Sequence, residues 1–130
     1  MQVRPMRRVD LTLARLPRPL RMAIYALACL VLLYMTLAPE HEVPGVGLIW
    51  DKAEHGSAWT VLTLAGLLLS TRRRWAIGVF AFALGALVEV LQANMGWGRD
   101  GNWPDLVADT LGIAVAYLLW GLAWRVGWVR

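Results

Sequence analysis

Four long apolar stretches, at residues 20–38, 51–70, 75–93 and 104–124, make up most of the chain, and short polar or glycine-rich breaks separate them. At ~1.5 Å of rise per residue, a helix of this length crosses a hydrocarbon layer about 30 Å thick. The pattern predicts an all-α fold: a bundle of four transmembrane helices. Pro17 and Pro19 interrupt the chain just before the first stretch. A cleaved signal peptide is the rival reading of that stretch, but it is long for such a segment and Pro39 stands where cleavage would fall. Residues 39–50 hold Glu40, His41 and Glu42, then an apolar, glycine-rich piece suited to the membrane interface. Asp51 with Glu54 has the spacing of a capping box at the start of the second helix. A basic turn, Thr71-Arg72-Arg73-Arg74, leads into the third helix. Turn-forming residues at 94–104 lead into the fourth, with Pro104 in its first turn.

Composition supports the same class. A hydrophobic share of 58% against 17% charged residues excludes an ordinary soluble domain. Cys29 is the sole cysteine, so no disulfide can form within the chain. The net charge of +4 matters less than its placement. Of the 13 Lys and Arg residues, 11 fall in the stretch from Met1 to Arg21, in the Arg72–Arg74 turn or after the fourth helix. These segments share one side of a four-helix bundle, while eight of the nine acids belong to the other. The positive-inside rule then predicts that both termini are cytoplasmic, with residues 1–19 a basic arm and 125–130 a tail, in a multi-pass membrane protein. Trp75, Trp120 and Trp124 mark the inner interface in this arrangement, and Trp50, Trp97 and Trp103 the outer one. The basic arm reads as a topology signal that also meets anionic headgroups, not as a nucleic-acid contact.

Polar residues inside apolar helices are the candidate chemistry, because an ionisable group in a membrane span is costly unless paired, hydrated or protonated. Asp51 and His55 are spaced i,i+4, Glu89 and Gln92 i,i+3, and Asp105 and Asp109 i,i+4, with Gly112 further along the same stripe. With alternating helix directions, Asp51, Lys52, His55, Glu89, Gln92, Arg99, Asp105 and Asp109 gather at the outer end of helices 2, 3 and 4, around a shallow outward-facing pocket. Helix capping accounts for Asp51 and Asp105 as readily as chemistry does. Lys52 can snorkel to headgroups, His55 can pack, and Arg99 can neutralise an acid. Glu89 and Asp109 have no such explanation.

The elements DKAEH at 51–55, E-x-x-Q at 89–92, and R-x5-D-x3-D-x2-G from Arg99 to Gly112 resemble the VanZ-like membrane proteins over roughly residues 30–120. The combined pattern is specific; each piece alone is weak. The resemblance implies a four-helix integral membrane protein, and kinship with a protein linked to resistance against teicoplanin, a glycopeptide that acts at the cell wall. Carried over by position, the motif residues are Asp51, Lys52, His55, Glu89, Gln92, Arg99, Asp105 and Gly112. The chain departs from the family where Asp109 replaces a common Asn and Gly56 a frequent aromatic residue.

Two functions suit such a pocket. In the first, it acts on a lipid or lipid-linked envelope component: Glu89 serves as base or acid, His55 as its partner and Asp109 as the orienting group, with Lys52, Arg99, Gln92, Asp51 and Asp105 on the substrate. No serine or cysteine belongs to the motif, which argues against a covalent nucleophile. In the second, the pocket grips a headgroup without reaction, or the charges simply hold the helices together. His55 with Asp51, Glu89 and Asp109 offers enough donors for zinc or magnesium. With one histidine and no cysteine in the group, no metal and no other cofactor is assigned.

Overall fold

The computed structural model describes residues 11–45 and 50–129; part of the basic arm, residues 46–49 of the glycine-rich loop and Arg130 lie outside the described residues. The described chain is all-helical: α1 (Arg18–Leu37), a short 3-10 turn (Glu40–Glu42), α2 (Asp51–Leu69), α3 (Arg74–Met95) and α4 (Trp103–Arg125). Each helix begins and ends within two residues of the boundary expected from the apolar pattern. Among the described residues, α1, α3 and α4 are long and apolar enough to cross a membrane. α2 is not of that set; it opens on Asp51, Lys52 and Glu54.

Local chemistry explains the boundaries. Pro19 lies in the first turn of α1, where its missing N–H costs nothing. Asn102, not Asp105, caps α4: its side-chain oxygen accepts from the Asp105 N–H at 3.1 Å, and Pro104 follows in the first turn. The capping box expected at α2 is absent. Trp50 occupies the cap position, no side chain caps the helix, and the Asp51 carboxylate bonds Lys52 instead, at 2.9 Å.

α2 is the central element, packed most extensively against α4 and also touching α1 and α3. The α2–α4 crossing is close because Gly56 and Gly112 face each other with nothing but backbone between them. A Cβ on Gly112 would overlap the Gly56 carbonyl. The Thr60 hydroxyl is 2.8 Å from the Gly56 carbonyl and 2.9 Å from that of Gly112, fastening the crossing. On the α3 side, fully buried Trp59 donates its indole N–H to the Ala81 carbonyl at 2.9 Å. At the far end of α4, the Tyr117 hydroxyl donates to the Arg74 carbonyl at 2.6 Å and accepts from the Gly78 N–H at 2.9 Å, clipping the first turn of α3. Arg21 donates to the Leu69 carbonyl at 2.7 Å and so ties the start of α1 to the end of α2. Leu32, Trp59, Leu62, Leu84, Val88 and Ile113 form the apolar core. Large apolar side chains elsewhere on the helices, among them Leu30, Phe82, Leu111 and Leu118, face outward, as they must if the surroundings are lipid.

Candidate functional site

Alternating helix directions bring the start of α2, the end of α3 and the start of α4 to one end of the bundle, where the polar residues meet. His55 lies one turn into α2, Asp109 one turn and a half into α4, and Glu89 well before the end of α3. All three are buried, with 9%, 0% and 8% of their surface exposed, and their donor atoms lie within 4.8 Å of one another. The imidazole Nδ1 is 3.0 Å from Asp109 Oδ1, a hydrogen bond that fixes the ring. Trp59, one turn further along α2, stacks beneath His55 with the two planes 14° apart. The second ring nitrogen, Nε2, faces the carboxylates of Asp51 and Asp105 at 4.0 Å each. Lys52 bridges that outer pair: its ammonium bonds Asp51 and the buried carboxylate of Asp105.

Glu89 is held from the loop before α4. Its Oε2 accepts the Asn102 main-chain N–H at 2.7 Å. That bond requires the loop to lie against α3, which Gly101 permits: a Cβ there would strike the Glu89 carbonyl and the Ala93 nitrogen. Its other oxygen, Oε1, and Asp109 Oδ2 are buried with no hydrogen-bond partner among the described residues.

The expected set therefore divides. Asp51, Lys52, His55, Glu89, Asp105 and Asp109 converge. Gln92 and Arg99 turn instead toward α1. Gln92 donates to the Thr36 carbonyl at 2.7 Å, and Arg99 donates to the carbonyls of Ala38 and Met35 at 3.2 Å each. These are the carbonyls a helix end leaves without intrahelical partners, so the two side chains dock the end of α1 onto the site. Arg99 nonetheless lines, together with Asp51 and His55, a cavity of about 850 Å³ that runs between α1 and α2. The rest of that lining is largely apolar and includes Ile24, Leu27 and Val31 of α1 with Val61, Leu62 and Ala65 of α2.

Sequence reasoning missed Asn102, Trp59 and the part played by α1. The Asn ahead of Trp103-Pro104 carried a capping signal. Nothing in the sequence announces the other two.

The geometry supports two kinds of chemistry. A carboxylate–imidazole pair can hold or pass a proton at Nε2, and α2 and α4 both begin beside the cluster, adding the positive ends of two helix dipoles. No family model, curated protein or solved structure matches the chain.

Proposed function

We propose that this is an integral membrane protein that takes a lipid or lipid-linked cell-envelope component from the outer leaflet, with the headgroup at the Asp51–His55–Arg99 end of the cavity and the chain along α1 and α2. The observation that carries this reading is the cavity's division into a long apolar part and one charged end. A molecule that fills both parts is an amphiphile. A water-soluble substrate would leave the α1–α2 trough unfilled, and a plain hydrocarbon would leave the charges unmatched. All four helices span the membrane in this reading, α2 with its charged first turn at the outer surface, and both termini are cytoplasmic. The motif resemblance to VanZ-like proteins agrees with an envelope role, and it makes a link to teicoplanin tolerance worth measuring.

Asp109 and the imidazole supply the means for proton transfer, so the bound component is either gripped or acted on, and one experiment separates the two. Native mass spectrometry of the detergent-purified protein is expected to show a retained lipid. Ala58→Trp, which places a bulky ring in the trough, removes it, and Arg99→Ala weakens it. Turnover of the retained species by the wild type but not by His55→Ala assigns catalysis; an unchanged species assigns binding. A protein that carries no lipid, or carries the same lipid in Ala58→Trp, defeats the proposal.

One observation favours a purely architectural role for part of the set: Gln92 and Arg99 spend their donors on α1 carbonyls. They act first by closing the trough, and through that closure on whatever it holds.

A further inference from the structure

We propose that the inner half of the cluster, His55, Glu89 and Asp109, is a binding site for one divalent first-row metal ion of the Zn²⁺ or Mn²⁺ type. This goes beyond the lipid reading and does not depend on it.

The argument starts from unpaired oxygens. Glu89 and Asp109 are each more than nine-tenths buried, and each has one satisfied oxygen and one without a protein partner. A buried polar atom without a partner is uncommon and demands an explanation. Two such atoms on neighbouring buried carboxylates compound the cost, because charge as well as hydrogen bonding is left uncompensated.

The two halves of the cluster differ in how charge is met. The outer carboxylates, Asp51 and Asp105, share the Lys52 ammonium. Among the described residues no Lys or Arg forms an ion pair with the inner pair: Lys52 bonds Asp51 and Asp105, Arg99 is bonded to α1, and the His55 imidazole is the one basic group bonded to it. A dication placed among the three donors would meet both orphan oxygens and balance both charges.

The geometry suits it. Donor atoms within 4.8 Å of one another must close by up to about 1.4 Å to reach the separation of roughly 3.4 Å that two ligands on one tetrahedral ion have with bonds of about 2.1 Å. The ligands come from three different helices, so the site is assembled by the fold. With Nδ1 turned to the ion, Nε2 faces the carboxylates of Asp51 and Asp105 at 4.0 Å. A ligating histidine usually gives its second ring nitrogen to a carboxylate; at 4.0 Å these two stand close but beyond direct hydrogen-bond length. One imidazole with two carboxylates favours a first-row transition ion or Zn²⁺ over Ca²⁺, which takes oxygen ligands almost throughout. Three protein ligands leave further coordination positions for water or another ligand, and of the three His55 also lines the cavity.

The test uses the full chain, purified in detergent, stripped with chelator and titrated with Zn²⁺ and with Mn²⁺ by calorimetry, with elemental analysis for stoichiometry. One ion per chain is expected. Glu89→Gln and Asp109→Asn should each weaken binding by about 100-fold or more, the upper end of what even outer-shell substitutions cost. His41→Ala removes the other histidine, which is exposed and belongs to neither group of donor residues, and should leave affinity unchanged. It also makes His55 the sole imidazole, so the electron-spin-echo modulation of Mn²⁺ in that variant should show one imidazole nitrogen. This second measurement needs no substitution in the site and decides the matter even where the carboxylate variants do not fold. No binding above the empty-micelle blank, binding indifferent to Glu89→Gln and Asp109→Asn, or an ion without a nitrogen signature in His41→Ala overturns the proposal. The buried pair would then be held by protons or water.

Discussion

Gly112 lies directly on Gly56, so close that a methyl group on Gly112 would overlap the Gly56 carbonyl oxygen. The contact is asymmetric: a Cβ on Gly56 would rest at 3.4 Å from the Ala108 carbonyl, an ordinary separation. The crossing positions His55, one residue before Gly56, against Asp109, one turn before Gly112. Gly112→Ala is therefore expected to destabilise the protein by about 1–3 kcal/mol through overpacking. Gly56→Ala should stay within about 1 kcal/mol and gain some helix propensity in return. Unfolding of the two variants in mixed detergent micelles measures the difference; equal effects would show that the crossing is not where the strain lies.

The His55–Asp109 bond predicts coupling. Removing either partner leaves a buried polar group without its mate, a cost of about 1–3 kcal/mol. His55→Ala and Asp109→Ala should each destabilise by that order, while the double variant should lose less than the sum of the two. A double-mutant cycle with a coupling of about 1 kcal/mol or more is the expected result. Strict additivity would mean that the two side chains stand side by side without interacting.

Asn102 serves two partners with two different groups, which its substitutions can separate. Its side chain caps α4 and its main-chain N–H holds Glu89. Asn102→Ala removes the cap, together with an exposed 3.2 Å side-chain bond to the Asp100 carbonyl, and is expected to cost about 1 kcal/mol, with Asn102→Gly costing a few tenths. Asn102→Pro removes the donor to Glu89 as well. It should lower stability further and, alone among the three, impair whatever Glu89 does, read as metal affinity or lipid retention.

How far the sequence reaches can be judged from these residues. Hydropathy alone places every helix end to within two residues, and helical spacing alone brings His55, Glu89 and Asp109 to one end of the bundle. Periodicity suffices there because each side chain's height and face are properties of its own helix. It fails for partners. Arg99 bonds a carbonyl 61 residues away and Gln92 one 56 residues away, and no periodicity links a loop to the end of a distant helix. The same limit hid the trough, which exists only between α1 and α2. Asp51 illustrates the reverse error: a capping signal with sound local chemistry lost to a lysine next to it and a fourth helix brought alongside.

The docking of α1 gives a prediction in its own right. Arg99 and Gln92 hold carbonyls at the end of α1, while the other end is held by Arg21 on the Leu69 carbonyl. Cys29 lies between, half-buried, and it is the sole cysteine in the chain. Loosening the Arg99 end should swing α1 away from α2 about the Arg21 end and expose that thiol. Arg99→Ala is expected to raise the labelling rate of Cys29 by a membrane-permeant maleimide several-fold, and Arg99→Lys to give a smaller rise. Lysine keeps a charge but lacks the planar fork that reaches two carbonyls at once. Arg21→Ala should have a comparable effect from the opposite end. An Arg99→Ala protein whose thiol reacts at the wild-type rate would show that apolar packing alone seats α1, and that Arg99 is available to whatever occupies the trough.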